Sequence, residues 1–307
     1  DKESQRLFSG HGSAMAQVYN HIILPLANAR DKETQVIWGI RYFEYRFNRK
    51  PEGMWLAETA ADTESLEILA KHGIKFTVLA PRQAKAIRRV GKEEWTSVNT
   101  NTVDTRRPYL CNLPSGNSIV LFFYDGDIAQ GVAFNGLLND GRKFADRLID
   151  SFDMNSPEPQ LVHIATDGET YGHHHKHGDM ALAYCLDFIQ RDEQSNLTNY
   201  AEFLEKFPPT YEAQIHENSS WSCVHGVERW RSDCGCHSGG KPAWNQKWRA
   251  PLREALDWLR DELIPIFENG GEQILHDPWQ ARNDYINVIL SRDDETIAKF
   301  FRDHCKT

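Results

Sequence analysis

The sequence predicts an α/β fold built on a parallel sheet, and three observations carry that expectation. Leu161, Val162, Ile164 and Ala165 form a short apolar run of the kind used by buried parallel strands. The run ends at once in Thr166-Asp167-Gly168-Glu169, so that acids stand at the C-terminal end of a strand, where α/β proteins carry their chemistry. Residues 54–60 form a second apolar run with an acid near its end, Glu58. A helical stretch over 63–72, stopped by Gly73, then leads to a third apolar run, Phe76–Leu79. Strand, helix, strand in that order is the unit of a parallel sheet.

The elements follow in chain order. Residues 1–10 are polar and read as frayed, and Ser13 is placed as the N-cap of a helix continuing through 17–22. Val36, Ile37, Ile40, Phe43 and Phe47 recur at three- and four-residue spacings, which predicts an amphipathic helix over 31–49 ended by Pro51 and Gly53. Residues 91–118, with Asn99, Asn101, Pro108, Pro114 and Gly116, read as an irregular excursion. Residues 118–124 form a strong strand that again ends in acids, Asp125-Gly126-Asp127. Helices are expected over 134–149 and 178–191. Beyond 191 strands become scarce and helices are expected at 199–207, at 248–268 and near Tyr285 and Thr296. A boundary near 195 divides an α/β domain (1–195) from a mainly helical region (196–307).

A length of 307 residues is enough for a large core. A net charge of -9 argues against nucleic acid or an anionic membrane as the main partner. No apolar run approaches the roughly 18 residues of a membrane span, and no signal peptide is visible. The six cysteines form no dense disulfide framework, so a reduced cytoplasmic setting is the default expectation. Tryptophans gather after Glu217, and aromatic faces suit sugar rings, although most single tryptophans are core.

The motifs then combine. Trp55-Leu56-Ala57-Glu58 resembles the nucleophile motif of glycoside hydrolase family 57, the retaining enzymes that act on α-glucans. Asp167-Gly168-Glu169-Thr170-Tyr171-Gly172-His173 is similar to that family's acid/base motif. Ser220-Trp221 with His225-Gly226-Val227 resembles its last region, and Asn20-His21 through Pro25-Leu26 the region before the nucleophile strand. The distal stretch from Trp230 through Asp233-Cys234-Gly235-Cys236 to Trp248 resembles a bacterial branch with an extra C-terminal domain of unknown function.

The resemblance implies an incomplete parallel (β/α)7-type barrel followed by a mainly helical C-terminal region that brings the 221–225 loop to the cleft. It implies Glu58 as nucleophile and Asp167 as acid/base. Retaining hydrolysis needs two such carboxyl groups, about 5–5.5 Å apart across the anomeric carbon. His21, Trp55, Glu169, His173, His174, Trp221 and His225 are the expected sugar-binding residues, and the expected partner is an α-glucan or oligosaccharide. No organic cofactor and no metal ligand is assigned. The family's opening strand with its His-x-His-Gln-Pro-like motif has no counterpart, and a preceding segment or a second chain is expected to supply it.

Two rival readings use the same residues. His173, His175 and His177 with Asp167 or Asp179 could hold a catalytic metal, as in a deacetylase or mannosidase-like enzyme on a related barrel. Cys223, Cys234, Cys236 and His237 could hold zinc, although Cys-x-Cys-His is tighter than the usual paired Cys-x2-Cys spacing. A non-catalytic carbohydrate-binding module is the third possibility.

Overall fold

The computed structural model describes residues 1–192, 195–237 and 239–306. The chain divides into two compact units that interleave along the sequence, rather than at a single cut near 195. The first comprises residues 1–15, 52–54 and 73–216; the second comprises 16–51, 55–72 and 217–307.

The first unit is built on a six-stranded sheet: β1 (Phe76–Leu79), β2 (Ala84–Arg89), β3 (Thr96–Ser97), β4 (Pro108–Asn112), β5 (Ser118–Phe123) and β6 (Tyr211–Ile215). Their spatial order is β1-β5-β4-β6-β2-β3. β1 pairs parallel with β5 and β4 parallel with β6, while the other three pairings are antiparallel. The sheet is therefore mixed, where an all-parallel one was expected. Its two apolar parallel strands, β1 at one end and β5 beside it, explain the core, since Leu79, Leu121, Phe122 and Phe123 are wholly buried.

The expected excursion at 91–118 contains β3 and β4. Pro108 is the first residue of β4, a strand position at which proline is tolerated. The apolar segment 161–165 does not enter the ladder. It runs extended, with the carbonyl of His163 accepting from Asp125 N (2.9 Å) and Leu161 N donating to the Arg106 carbonyl (2.8 Å). Val162 and Ile164 pack instead on a helical cluster of Ile128, Val132, Phe144, Ala181 and Cys185. That cluster joins the helices Gly126–Phe134, Gly141–Ile149 and Gly178–Gln190. Of the helix expected over 134–149 only Gly141–Ile149 forms, preceded by a 3-10 turn at Leu137–Asn139 that Gly136 enters at a left-handed φ of 72°; Gly126–Phe134 is a separate helix before it.

The second unit is helical. Ala29–Phe47 is capped by Asn28, whose side chain accepts from Asp31 N (2.8 Å), and buries Val36 and Phe43. Gly39 lies on its inner face, where a Cβ would stand 2.2 Å from the Gln17 carbonyl oxygen. Thr63–Lys71 is capped by Asp62, and the C-terminal part consists of Arg249–Ile274, Pro278–Asp284, Ile286–Leu290 and Asp294–His304. The helix expected over 13–22 is absent; residues 24–26 form one short 3-10 turn around Pro25 instead. In the first unit the N-terminal residues expected to fray form a helix, Lys2–Leu7. No described helix is long and apolar enough to cross a membrane.

Candidate active site

In the second unit Glu58 sits on a strained turn. Glu58 has φ 58°, ψ 19°, and the next residue, Thr59, has φ 49°. Two successive non-glycine residues in the left-handed region cost roughly 1–2 kcal/mol each, and a β-branched residue there is a genuine outlier. Such strain persists only where the surroundings over-determine it. Here they do. Trp221 N donates to the Glu58 carbonyl (3.2 Å) and to Thr59 Oγ1 (3.0 Å), and Ala61 and Ser219 exchange backbone bonds in a short antiparallel bridge.

The same tryptophan reaches the carboxylate. Trp221 Nε1 donates to Glu58 Oε2 at 3.0 Å, and His21 Nε2 lies 3.3 Å from Oε1. Trp55 packs edge-on against Trp221, with ring centroids 5.1 Å apart. His21 is largely exposed, and the Glu58 side chain is about a quarter exposed. Four residues designated from sequence (Glu58, His21, Trp55 and Trp221) are thus brought together.

Sequence reasoning missed a buried ion pair in the chain just after the turn. Lys32 is buried to 1% exposure and donates to Asp62 Oδ2 at 3.0 Å, while also contacting Glu64. Asp62 in turn caps the helix Thr63–Lys71 through Ser65 N (2.7 Å). A lysine inside an amphipathic helix pattern carries no signal of burial, because its partner is 30 residues away.

Asp167 belongs to the first unit and stands on a different kind of turn. It is exposed, at an ordinary φ of -62°, and its carbonyl accepts from Thr170 N (3.0 Å) to open a short 3-10 turn, Gly168–Thr170. Glu169 and His174 are exposed neighbours 3.5 Å apart, and the His173 and His174 rings touch edge-on. His175 is turned away to donate through Nε2 to the Ala133 carbonyl (2.8 Å). Among the described residues, the histidine run does not gather three ligand atoms with Asp167 or Asp179. The catalytic-metal reading therefore loses its geometry.

His163, four residues before Asp167, was also missed. Its Nε2–H donates to the Thr105 carbonyl (3.2 Å) and its Nδ1 accepts from Tyr200 Oη (3.0 Å), with Phe122 and Tyr200 rings against it. Enclosure pushes its pKa down to about 4, keeping the imidazole neutral.

His225 is drawn into a thiol cluster. Its Nδ1 lies 3.6 Å from Cys223 Sγ and 3.3 Å from Cys236 Sγ, and the two sulfurs are 3.7 Å apart. With Cys234 these four ligand atoms all lie within 4.8 Å of one another. His237, the histidine grouped with these cysteines from sequence, is not a member. The signal that could have found His225 is the repeated spacing, Cys223-Val224-His225 against Cys234-Gly235-Cys236.

The family model described as glycosyl hydrolase family 57 matches residues 6–216, and one described as a domain of unknown function (DUF3536) matches residues 244–307. No curated protein matches the sequence. Among solved structures, an exo-type maltose-forming amylase from Pyrococcus sp. ST04 is similar at 18% identity and a TM-score of 0.68, over 98% of this chain and 52% of that one. A branching enzyme from Thermococcus kodakaraensis is similar at 17% identity and a TM-score of 0.62, over 98% of this chain and 66% of that one. A branching enzyme from Pyrococcus horikoshii is similar at 20% identity and a TM-score of 0.59, over 75% of this chain and 52% of that one. At these identities the likeness is one of fold. The chain spans about half the length of the amylase.

Proposed function

The chain belongs to glycosyl hydrolase family 57, and from that membership we propose that it cleaves or transfers α-glucans by double displacement, with Glu58 as nucleophile and Asp167 as acid/base. The observation that carries this reading is the Glu58 carboxylate itself. It is fixed through Oε2 by the Trp221 indole on an over-determined turn, and its Oε1 faces the exposed His21 imidazole. A nucleophile needs one trajectory, and a backbone that stores strain to set it is a common device of reactive sites.

In the first step Glu58 Oε1 attacks the anomeric carbon and the glycosidic C–O bond breaks. Asp167 gives its proton to the departing oxygen, leaving a glycosyl-enzyme ester. In the second step the Asp167 carboxylate takes a proton from water or a sugar hydroxyl, whose oxygen displaces Glu58. Water as acceptor makes the chain a hydrolase and a sugar makes it a transglycosylase. His21 and Trp55 are the sugar contacts beside Glu58, with Glu169, His173 and His174 beside Asp167. The fold that accompanies this chemistry is an incomplete (β/α)7-type barrel. The parallel pairing of β1 with β5, and the extended segment 161–165 bonded to Asp125, support that part of the reading.

The test is incubation with maltoheptaose, products being followed by chromatography beside a Glu58→Gln control. Shorter sugars alone identify a hydrolase, and a ladder of shorter and longer sugars identifies a glucanotransferase. Products no different from the control would sink the α-glucan reading and leave a non-catalytic binding module.

A further inference from the structure

We propose that Cys223, His225, Cys234 and Cys236 form a closed, four-ligand zinc site that clamps the loop carrying Trp221.

Three of the four ligand atoms stand at the spacings of a coordination tetrahedron, and the fourth, Cys234 Sγ, lies within 4.8 Å of each of them. Zinc bonds of about 2.3 Å to sulfur and about 2.0–2.1 Å to nitrogen, at tetrahedral angles, put sulfurs about 3.8 Å apart and sulfur about 3.5 Å from nitrogen. The Cys223 and Cys236 sulfurs are 3.7 Å apart, and His225 Nδ1 stands 3.6 and 3.3 Å from them. A disulfide needs about 2.05 Å, and all the cysteines are free thiols. Three thiols and an imidazole converging on one point select zinc among common divalent ions, and four protein ligands leave no open position for catalysis.

The local backbone is shaped to present these groups. Gly235 takes a left-handed φ of 78° between its two cysteines. Gly226, directly after His225, has φ 61° and passes so close to Asn218 that a Cβ would meet its carbonyl oxygen at 2.0 Å. The His225 backbone N–H donates to Cys223 Sγ at 3.4 Å, which fixes the sulfur beside the imidazole. The Gln246 side-chain amide donates to the Cys236 carbonyl, and Gln246 N donates to Asp233 Oδ1 (3.1 Å), so the second ligand pair is held from outside. Binding releases three thiol protons, and neutral His225 coordinates through Nδ1. The clamp would tie residues 223–225 to 234–236, and Trp221 is two residues from its first ligand.

The experiment is metal analysis of the purified, reduced chain, followed by stripping and titration with Zn2+ and with Co2+. The expected result is about one zinc per chain. The cobalt form should show sulfur-to-cobalt charge transfer and intense tetrahedral d–d bands. Cys234→Ser and Cys236→Ser should each lose the bound zinc, whereas His237→Ala should keep it. A folded wild-type chain that takes up neither metal with a thiolate signature would overturn the proposal, as would full zinc retention in both serine variants. Should those variants fail to fold, the wild-type cobalt spectrum decides alone. None of these readouts depends on glucan turnover.

Discussion

Glu58 and Asp167 end two comparable sequence motifs, yet the turns that carry them are built in opposite ways. The Glu58 turn is forced into the left-handed region and tied by Trp221 through backbone and indole, with Asp62 of the buried Lys32–Asp62 pair just after it in the chain. The Asp167 turn is exposed, unstrained at its first residue, and closed mainly by its own short-range backbone bonds. The contrast matches the two chemical tasks proposed. A nucleophile needs a fixed oxygen, whereas an acid/base must release a proton in one step and collect one from an arriving acceptor in the next.

The largest test of that contrast is at Glu58. Glu58→Gln is expected to lower maltoheptaose turnover by roughly 10⁴-fold or more with the fold intact. In Glu58→Ala, azide should restore turnover of an activated aryl glycoside and yield the inverted glycosyl azide. A retained azide product would move the nucleophile elsewhere. Asp167→Asn should cost about 10²–10⁴-fold on glucans and far less on activated aryl glycosides, whose leaving groups need no proton. Equal losses on both would break the assignment.

Lys32→Ala probes stability rather than chemistry. It leaves Asp62 buried without its cation, so a loss of about 3–5 kcal/mol in urea unfolding is expected. The half-exposed Glu64 should add little. Trp221→Phe keeps the ring against Trp55 but deletes the bond to Glu58 Oε2. A hydrogen bond to a charged group is worth about 1.5–3 kcal/mol, so kcat should fall about 10- to 150-fold, and urea unfolding should lose no more than that free energy.

The last test turns on pH and concerns His163. Its pKa is about 4 when folded against 6.5 for an ordinary histidine, so the unfolded chain binds the extra proton first. Stability should therefore fall as pH drops from about 6.5 towards 4, and His163→Gln should flatten that part of the curve. Urea midpoints across this range in both proteins check it.

Much of this was legible in the sequence where the determinants are local. The helix expected over 31–49 forms at Ala29–Phe47, and β1 and β5 lie where their apolar runs are. Motif spacing singled out Glu58, Trp55, Trp221 and His21, which do gather. What was not legible depends on distant partners. Pro108 disguised β4, because only its place as a first strand residue makes it tolerable. Residues 161–165 carry the composition of a buried strand, but the neighbours that take up Val162 and Ile164 are helices. His225 was assigned to sugar, and it stands beside Cys223, two positions earlier, and Cys236, which arrives 11 positions later.

The ties on the Glu58 turn reach across 162 and 163 positions of sequence. During synthesis the ribosome therefore releases this turn long before Trp221 exists to hold it. The stretch matched to glycosyl hydrolase family 57 ends at residue 216, and the segment that pins the Glu58 turn runs from Ser219 to Trp221. Two local backbone bonds close the turn, from Thr59 N to the Leu56 carbonyl (2.9 Å) and from Ala60 N to the Ala57 carbonyl (3.0 Å), but its bonds from Trp221 wait on closure of a very long loop. A nascent chain paused at 216 would carry Glu58 without its aim.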